Sequence, residues 1–314
     1  MKNSFFALLF AVFAITATAQ ESQTEYNFLR LPVSAHAAAL GGENITIIED
    51  DPALMFSNPA LAASVNDKTI GLSYMNYMDG VNYMSASFNK ILKEKATLAG
   101  GIQYVNYGKM KQTDENNVQS GEFSASDIAI DAIFSYQLSE RIVGGITAKF
   151  IMSYIGSYSS MAAGIDLGVN YYDPDREWSI SAVAKNLGGE VKAYDEEFGK
   201  MPLDLQVGVS KTFTALPVRL SATLVDLTHY NYSFKNHIIL GADVLLSQSL
   251  WIGAGYNFRR VEEMKISDGE SESSHGAGLS FGAGLNLERF KLNVAYGKYH
   301  VSSSSLVVNA AFSL

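Results

Sequence analysis

The stretch Asp127-Ile-Ala-Ile-Asp-Ala-Ile-Phe-Ser-Tyr-Gln137 decides the fold. Ile128, Ile130, Ala132, Phe134 and Tyr136 fall at every second position. Successive side chains of a β-strand point to opposite faces, so these five share one apolar face. Asp127, Asp131, Ser135 and Gln137 share the other, where Ala129 and Ile133 interrupt the polar pattern. Such a strand needs an apolar medium on one side and a polar one on the other. A charge facing lipid near mid-membrane is destabilising, so the acidic face belongs to a lumen and the apolar face to the bilayer.

The same alternation recurs downstream. Ile238, Leu240, Ala242, Val244 and Leu246 oppose His237, Gly241 and Asp243. Ala277, Leu279, Phe281, Ala283 and Leu285 oppose a run of Gly, Ser and Asn. The pattern predicts 14 strands, at 68–76, 81–89, 96–107, 125–137, 141–153, 161–172, 177–186, 203–213, 218–226, 236–246, 249–260, 275–286, 289–299 and 303–313. Each is close to the roughly 9–11 residues with which a tilted strand crosses a bilayer. The expected fold is all-β: a 14-stranded antiparallel transmembrane barrel of the outer membrane over residues 68–314.

The connections supply a topology. Those after even strands are short: 90–95, 138–140, 173–176, 214–217, 247–248 and 287–288. All the long ones follow odd strands, including 108–124, 187–202 and 261–274. Outer-membrane barrels keep short turns in the periplasm and longer loops outside, so the even strand count predicts periplasmic termini and extracellular loops. Loops on a rigid scaffold carry function, which makes 108–124, 187–202, 227–235 and 261–274 the candidate partner surfaces. A soluble β-sandwich or propeller would explain the strand spacing but not the long/short asymmetry or the apolar outer faces.

Ahead of the strands, Lys2, the apolar run from Phe5 to Ile15 and Ala17-Thr-Ala19 read as a signal peptide over residues 1–19, with a mature start near Gln20. An uncleaved anchor would need about 20 apolar residues. Residues 20–67 lack alternation and carry small-residue runs, such as Ala35-His-Ala-Ala-Ala-Leu-Gly-Gly42, and the turn-forming Asp51-Pro52 and Asn58-Pro-Ala60. A structureless stretch of that length is usually functional. We expect a hatch in the barrel lumen, with Pro52, Asn58, Pro59 and Ala60 as its motif.

Composition excludes several classes of function. The net charge of −9 opposes nucleic-acid binding, which uses basic patches. There is no cysteine, hence no disulfide. His36, His229, His237, His275 and His300 are scattered without ligand spacing, so neither a metal site nor a Ser/His/Asp triad is expected. Glu49-Asp50-Asp51 lacks the spacing of a calcium loop and reads as a solvated or helix-capping cluster. The glycines of 276–284 sit in a strand with no following helix, so they make room for the hatch and do not cradle a phosphate. Asp127 and Asp131 could form an acid/base pair. The hairpin at 138–140 brings Asp131 opposite Thr147 and Lys149, so Asp127, Asp131 and Lys149 read better as a lumenal polar network bracing the hatch. Lys185 and Asp166 read the same way. We expect no enzyme activity and no cofactor.

Residues 28–42, Phe-Leu-Arg-Leu-Pro-Val-Ser-Ala-His-Ala-Ala-Ala-Leu-Gly-Gly, are similar to the mature N-terminus of the PorQ and PorV families of type IX secretion barrels. Asp51-Pro52 and Asn58-Pro-Ala60 resemble the hatch of the wider FadL-type family, whose members have 14 strands. Residues 99–108, 120–127, 154–160, 184–188 and 240–260 look most like the PorQ family. The resemblance implies a membrane anchor in a cell-surface attachment complex. Its partners would be a PorZ-like surface protein, a PorU-like sortase and a PorV-like barrel. That complex joins exported cargo to anionic lipopolysaccharide, and the barrel itself contacts outer-membrane lipid. The FadL side of the resemblance implies an alternative, transport of fatty acids or other hydrophobic solutes.

Overall fold

A computed structural model describes residues 24–78, 80–116, 118–213, 215–247, 249–264, 266–267, 272–273, 276–300 and 303–314. The expected signal peptide and His275 lie outside the described residues. The strands are β1 (Thr69–Met78), β2 (Val81–Lys93), β3 (Ala96–Thr113), β4 (Gln119–Gln137), β5 (Ile142–Ile155), β6 (Tyr158–Asp173), β7 (Trp178–Lys192), β8 (Asp204–Phe213), β9 (Val218–Leu224), β10 (Ile238–Leu245), β11 (Leu250–Asn257), β12 (Ile266–Ser267), β13 (Glu272–Ser273), β14 (Leu279–Asn286), β15 (Phe290–His300) and β16 (Ser303–Ser313). All but β12 and β13, which pair only with each other, close into one 14-stranded antiparallel barrel. The seam joins the first strand to the last, from Thr69 opposite Ser313 to Asn76 opposite Leu306. Closure leaves no free sheet edge within the ring, which is what lets a sheet cross hydrocarbon.

The alternation places side chains as the opening stretch requires. On β4, Ile130, Phe134 and Tyr136 are exposed on the outside, and Asp127, Asp131 and Ser135 are buried within. The two interruptions also have a cause. Ala129 belongs to the buried cluster that includes Phe28 and Leu29, and Ile133 packs with Met55, Ala62 and Ala99. The inward face is apolar where the N-terminal segment leans on it.

That segment runs inside the ring. Its helix Ala35–Ala39 packs against β11, β14, β15 and β16. The 3-10 turn Pro52–Phe56 packs against β1 and β2, and Pro59–Ser64 against β3, β4, β5 and β6. Each of the three is started by a capping side chain. Ser34 accepts from Ala37 N at 3.3 Å, Asp51 from Ala53 N at 2.9 Å and Asn58 from Ala60 N at 3.0 Å. Pro52 and Pro59 occupy first-turn positions, where a missing N–H costs no hydrogen bond.

Three features differ from a simple reading of the strand pattern. The first concerns the described ends of the chain. Leu314 N donates to Lys68 O at the short-turn end, whereas Thr24 bridges to Lys200 in the connection after β7, at the opposite end. The two described ends of the chain therefore lie at opposite ends of the barrel, because the N-terminal segment traverses the lumen before β1 begins. The second concerns residues 108–124, read as a loop. β3 and β4 stay paired through Lys109–Ser124 and Met110–Phe123 as far as Thr113–Gln119, so only the tip is a turn. The polar alternation there continues a strand beyond the membrane. The third concerns 249–260, whose end is not strand: Phe258–Glu263 is a short helix, capped by the Asn257 side chain, which accepts from Arg260 N at 3.0 Å. β7 likewise runs on to Lys192, into the stretch read as loop.

Candidate functional site

The interface between the N-terminal segment and the inner wall is built on paired glycines. Gly145 and Gly168 face each other across β5 and β6, and a Cβ on either would collide with Pro59. Gly241 and Gly255 face each other across β10 and β11, and a Cβ on either would collide with Leu40. Gly253 faces Gly282 across β11 and β14, where Leu40 and Ala39 approach. A strand glycine marks a place where another backbone comes close. Here three pairs form shallow seats for the helix end and for the Asn58-Pro59-Ala60 motif. The Asn58 side chain adds a hydrogen bond from Nδ2 to Ile45 O at 3.0 Å. Pro52 rests against Gly71 of β1.

The polar network on β3 to β7 differs in detail from its sequence reading. Asp131 and Lys149 are register partners across β4 and β5. The Lys149 ammonium nevertheless pairs with Asp166 at 2.7 Å and donates to Asn186 Oδ1 at 2.9 Å. Asp131 instead accepts from Gln103 Nε2 at 2.6 Å. Asp127 accepts from the Tyr107 hydroxyl at 2.6 Å and from Ser153. Asp127 and Asp131 thus have separate partners. Lys185 reaches Glu43 of the N-terminal segment at 3.4 Å.

A second buried cluster lies toward the short-turn end. His36 stacks on Trp251 with centroids 3.5 Å apart. Its Nδ1 is 2.9 Å from Glu49 and its Nε2 is 3.4 Å from Asp243. Arg219 donates to Glu49 at 2.8 Å and to Asp243 at 3.0 Å. Arg219 and Asp243 are opposite each other on β9 and β10, so the strand alternation alone could have paired them. The contribution of His36 and Glu49 depends on how the segment folds back, and no local pattern signals it.

At the long-loop end, Asp226 pairs with two guanidinium groups and lies beside an imidazole. Arg30 Nη1 donates to both of its carboxylate oxygens at 2.7 and 2.8 Å, Arg259 pairs with it, and His229 lies 3.4 Å away. Nearby, the Tyr26 hydroxyl donates to Glu190 at 2.6 Å, and Gly199 N donates to the same carboxylate at 2.6 Å. Glu25 sits beside Glu190, and burial together with the Glu190 and Asp195 charges pushes its carboxyl up to about 7. Among the described residues, no group of His, Asp and Glu is arranged to hold a metal ion.

A closed 14-stranded barrel, apolar outside and polar within, with a segment running through its lumen, is a transmembrane β-barrel. Solved structures share it. The toluene transporter TodX of Pseudomonas putida superposes with a TM-score of 0.56 at 16% identity, over 90% of this chain and 97% of that one. The CymD monoaromatic hydrocarbon channel gives 0.57 at 14% identity, over 90% and 97%. A FadL homologue of Pseudomonas aeruginosa gives 0.52 at 10% identity, over 89% and 98%. At such identities the likeness is one of fold alone. No curated protein matches the chain. The family described as type IX secretion system membrane protein PorP/SprF matches residues 53–307. This chain belongs to that family and is an outer-membrane barrel of the type IX secretion system.

Proposed function

We propose that this barrel is a PorQ-like anchoring subunit of the type IX cell-surface attachment complex. Residues 20–67 serve as its hatch and 68–314 as its membrane body, after removal of a signal peptide at 1–19. Short turns and the C-terminus face the periplasm, and the β3–β4 ribbon and the longer connections face outward. There they hold a PorZ-like surface protein beside a PorU-like sortase and a PorV-like barrel, which together join cargo to anionic lipopolysaccharide. The role is binding and positioning, with no catalytic step.

The observation that carries this reading is a filled lumen in a member of a secretion family. Leu40, Ile45, Ile47, Leu54, Met55 and Leu61 of the N-terminal segment are fully buried among the strands. A barrel packed in this way is suited to hold a partner more than to conduct. Co-purification from native membranes in mild detergent tests the reading: the surface protein and the sortase should elute with the tagged barrel.

The second reading, uptake of hydrophobic solutes, is favoured by the fold shared with TodX and by cavities of about 410 and 370 Å³ at the two ends of the barrel. Liposomes carrying the barrel would then accumulate a long-chain fatty acid or toluene. The anchor reading expects no uptake above empty liposomes.

A further inference from the structure

The cavity of about 370 Å³ opens at the long-loop end between the N-terminal segment and the wall. Three arginines line it: Arg30, Arg259 and Arg260. Two of them are neutralised, since Arg30 and Arg259 both pair with Asp226, and Arg259 also pairs with Glu263. Of the other lining carboxylates, Glu43 is matched by Lys185, and Asp204 accepts from Gln206 Nε2 at 2.7 Å and from Asp226 N at 2.7 Å. Arg260 is different. It is only 6% exposed, yet among the described residues no carboxylate lies within ion-pair distance of it. Its Nη2 donates to Gly41 O, its Nη1 is 3.4 Å from Lys298 O, and its guanidinium lies 4.5 Å from the centre of the Tyr299 ring. Among the described residues, none makes a well-aligned hydrogen bond to its Nε or to the Tyr299 hydroxyl, which lies beside the guanidinium.

A buried charge that is neither paired nor fully hydrogen-bonded is expensive. A guanidinium is a planar donor fork matched to carboxylate and phosphate oxygens. The walls around it are polar and aromatic together, with Asn257, Tyr232 and Tyr299 at the cavity surface. The volume is in the range of small-molecule sites. We propose that this cavity binds a polar, sugar-sized oxyanion, with a carboxylate or phosphate oxygen accepting from Arg260 Nε and from the Tyr299 hydroxyl. The lining mixes apolar Leu31, Val225 and Ile239 with charged, amide and hydroxyl groups, which suits a hydroxylated ring better than a plain alkyl tail. The inference is independent of the anchoring role: it needs the cavity alone.

The test uses the purified full-length barrel in detergent. Titration calorimetry is run with glucuronate, glucose 1-phosphate, inorganic phosphate and octanoate. Saturable binding of glucuronate or glucose 1-phosphate is expected, weakened at least tenfold in Arg260→Gln. Octanoate should bind more weakly than glucuronate. Arg260 is buried, so Tyr299→Phe serves as the gentler variant and should weaken binding severalfold with the melting temperature unchanged. The preferred arm separates the sources: glucuronate points to a sugar acid and glucose 1-phosphate to a phosphorylated sugar. The proposal is overturned if neither sugar binds saturably to the wild type, if octanoate binds tighter than both, or if a folded Tyr299→Phe barrel binds as the wild type does.

Discussion

The imidazole of His36 lies flat on the indole of Trp251, with 3.5 Å between centroids and 5° between planes. One ring belongs to the lumenal segment and the other to β11, so the stack joins the two parts of the molecule. The same imidazole touches Glu49 and Asp243, whose shared partner is Arg219. His36→Ala removes the stack and leaves the two carboxylates with one cation. From ordinary values for aromatic pairs and charged hydrogen bonds, the expected loss is on the order of 2–4 kcal/mol. Guanidinium unfolding of the barrel, followed by Trp251 emission in a Trp178→Phe background, measures it. Hydrogen exchange should quicken at 35–40 before the strands open.

Lys149 distinguishes proximity in register from pairing. It faces Asp131 across the ladder yet bonds to Asp166 at 2.7 Å, with both partners buried. Lys149→Met strands the Asp166 charge and should cost about 3–5 kcal/mol. A double-mutant cycle of Lys149 with Asp166 should give a coupling above about 1 kcal/mol, and the cycle with Asp131 a smaller one. Equal couplings would place the ammonium between the two acids.

Glu25 gives the long-loop end a pH dependence. Burial and the neighbouring Glu190 and Asp195 raise its carboxyl from 4.5 to about 7. A raised acid holds its proton longer when docked, so docking is strongest below about 4.5 and weakens as pH rises to about 7. Limited proteolysis near residue 24 should therefore speed up between pH 5 and pH 8. Glu25→Gln should flatten the profile.

The glycine seats predict selective overpacking. Gly145→Val puts a branched side chain where the Pro59 backbone now lies. The expected cost is about 1–3 kcal/mol, concentrated in the N-terminal segment. Amide exchange at 58–64 should quicken while β4 to β6 stay protected.

The alternation of Ile128, Ile130 and Phe134 against Asp127 and Asp131 carried the strand count and the inside/outside assignment, because a two-residue period is local. The ends of β3 and β4 were not legible, since a polar ribbon outside the membrane loses the apolar face that marks a strand. The helix at Phe258–Glu263 was hidden because β11 runs directly into its Asn257 cap. Ala129 and Ile133 hinted that something apolar lies in the lumen, but not what. The partners of Asp131, Lys149 and His36 depend on side-chain reach and on the path of residues 24–67, which no short window encodes. The paired glycines were readable in part. Gly282 lies in the run that reads as room for the hatch, and only the folded chain shows Pro59 and Leu40 seated at the others.

The proposed anchoring role ties this barrel to attachment of exported cargo at the cell surface. The most direct measurement is the partition of a type IX cargo protein between washed cells and medium, in a strain lacking the barrel and in one complemented with the full chain. An anchoring barrel requires that surface-attached cargo falls sharply without it and returns with it. Unchanged attachment in the deletion strain, with the barrel verified absent, would contradict it.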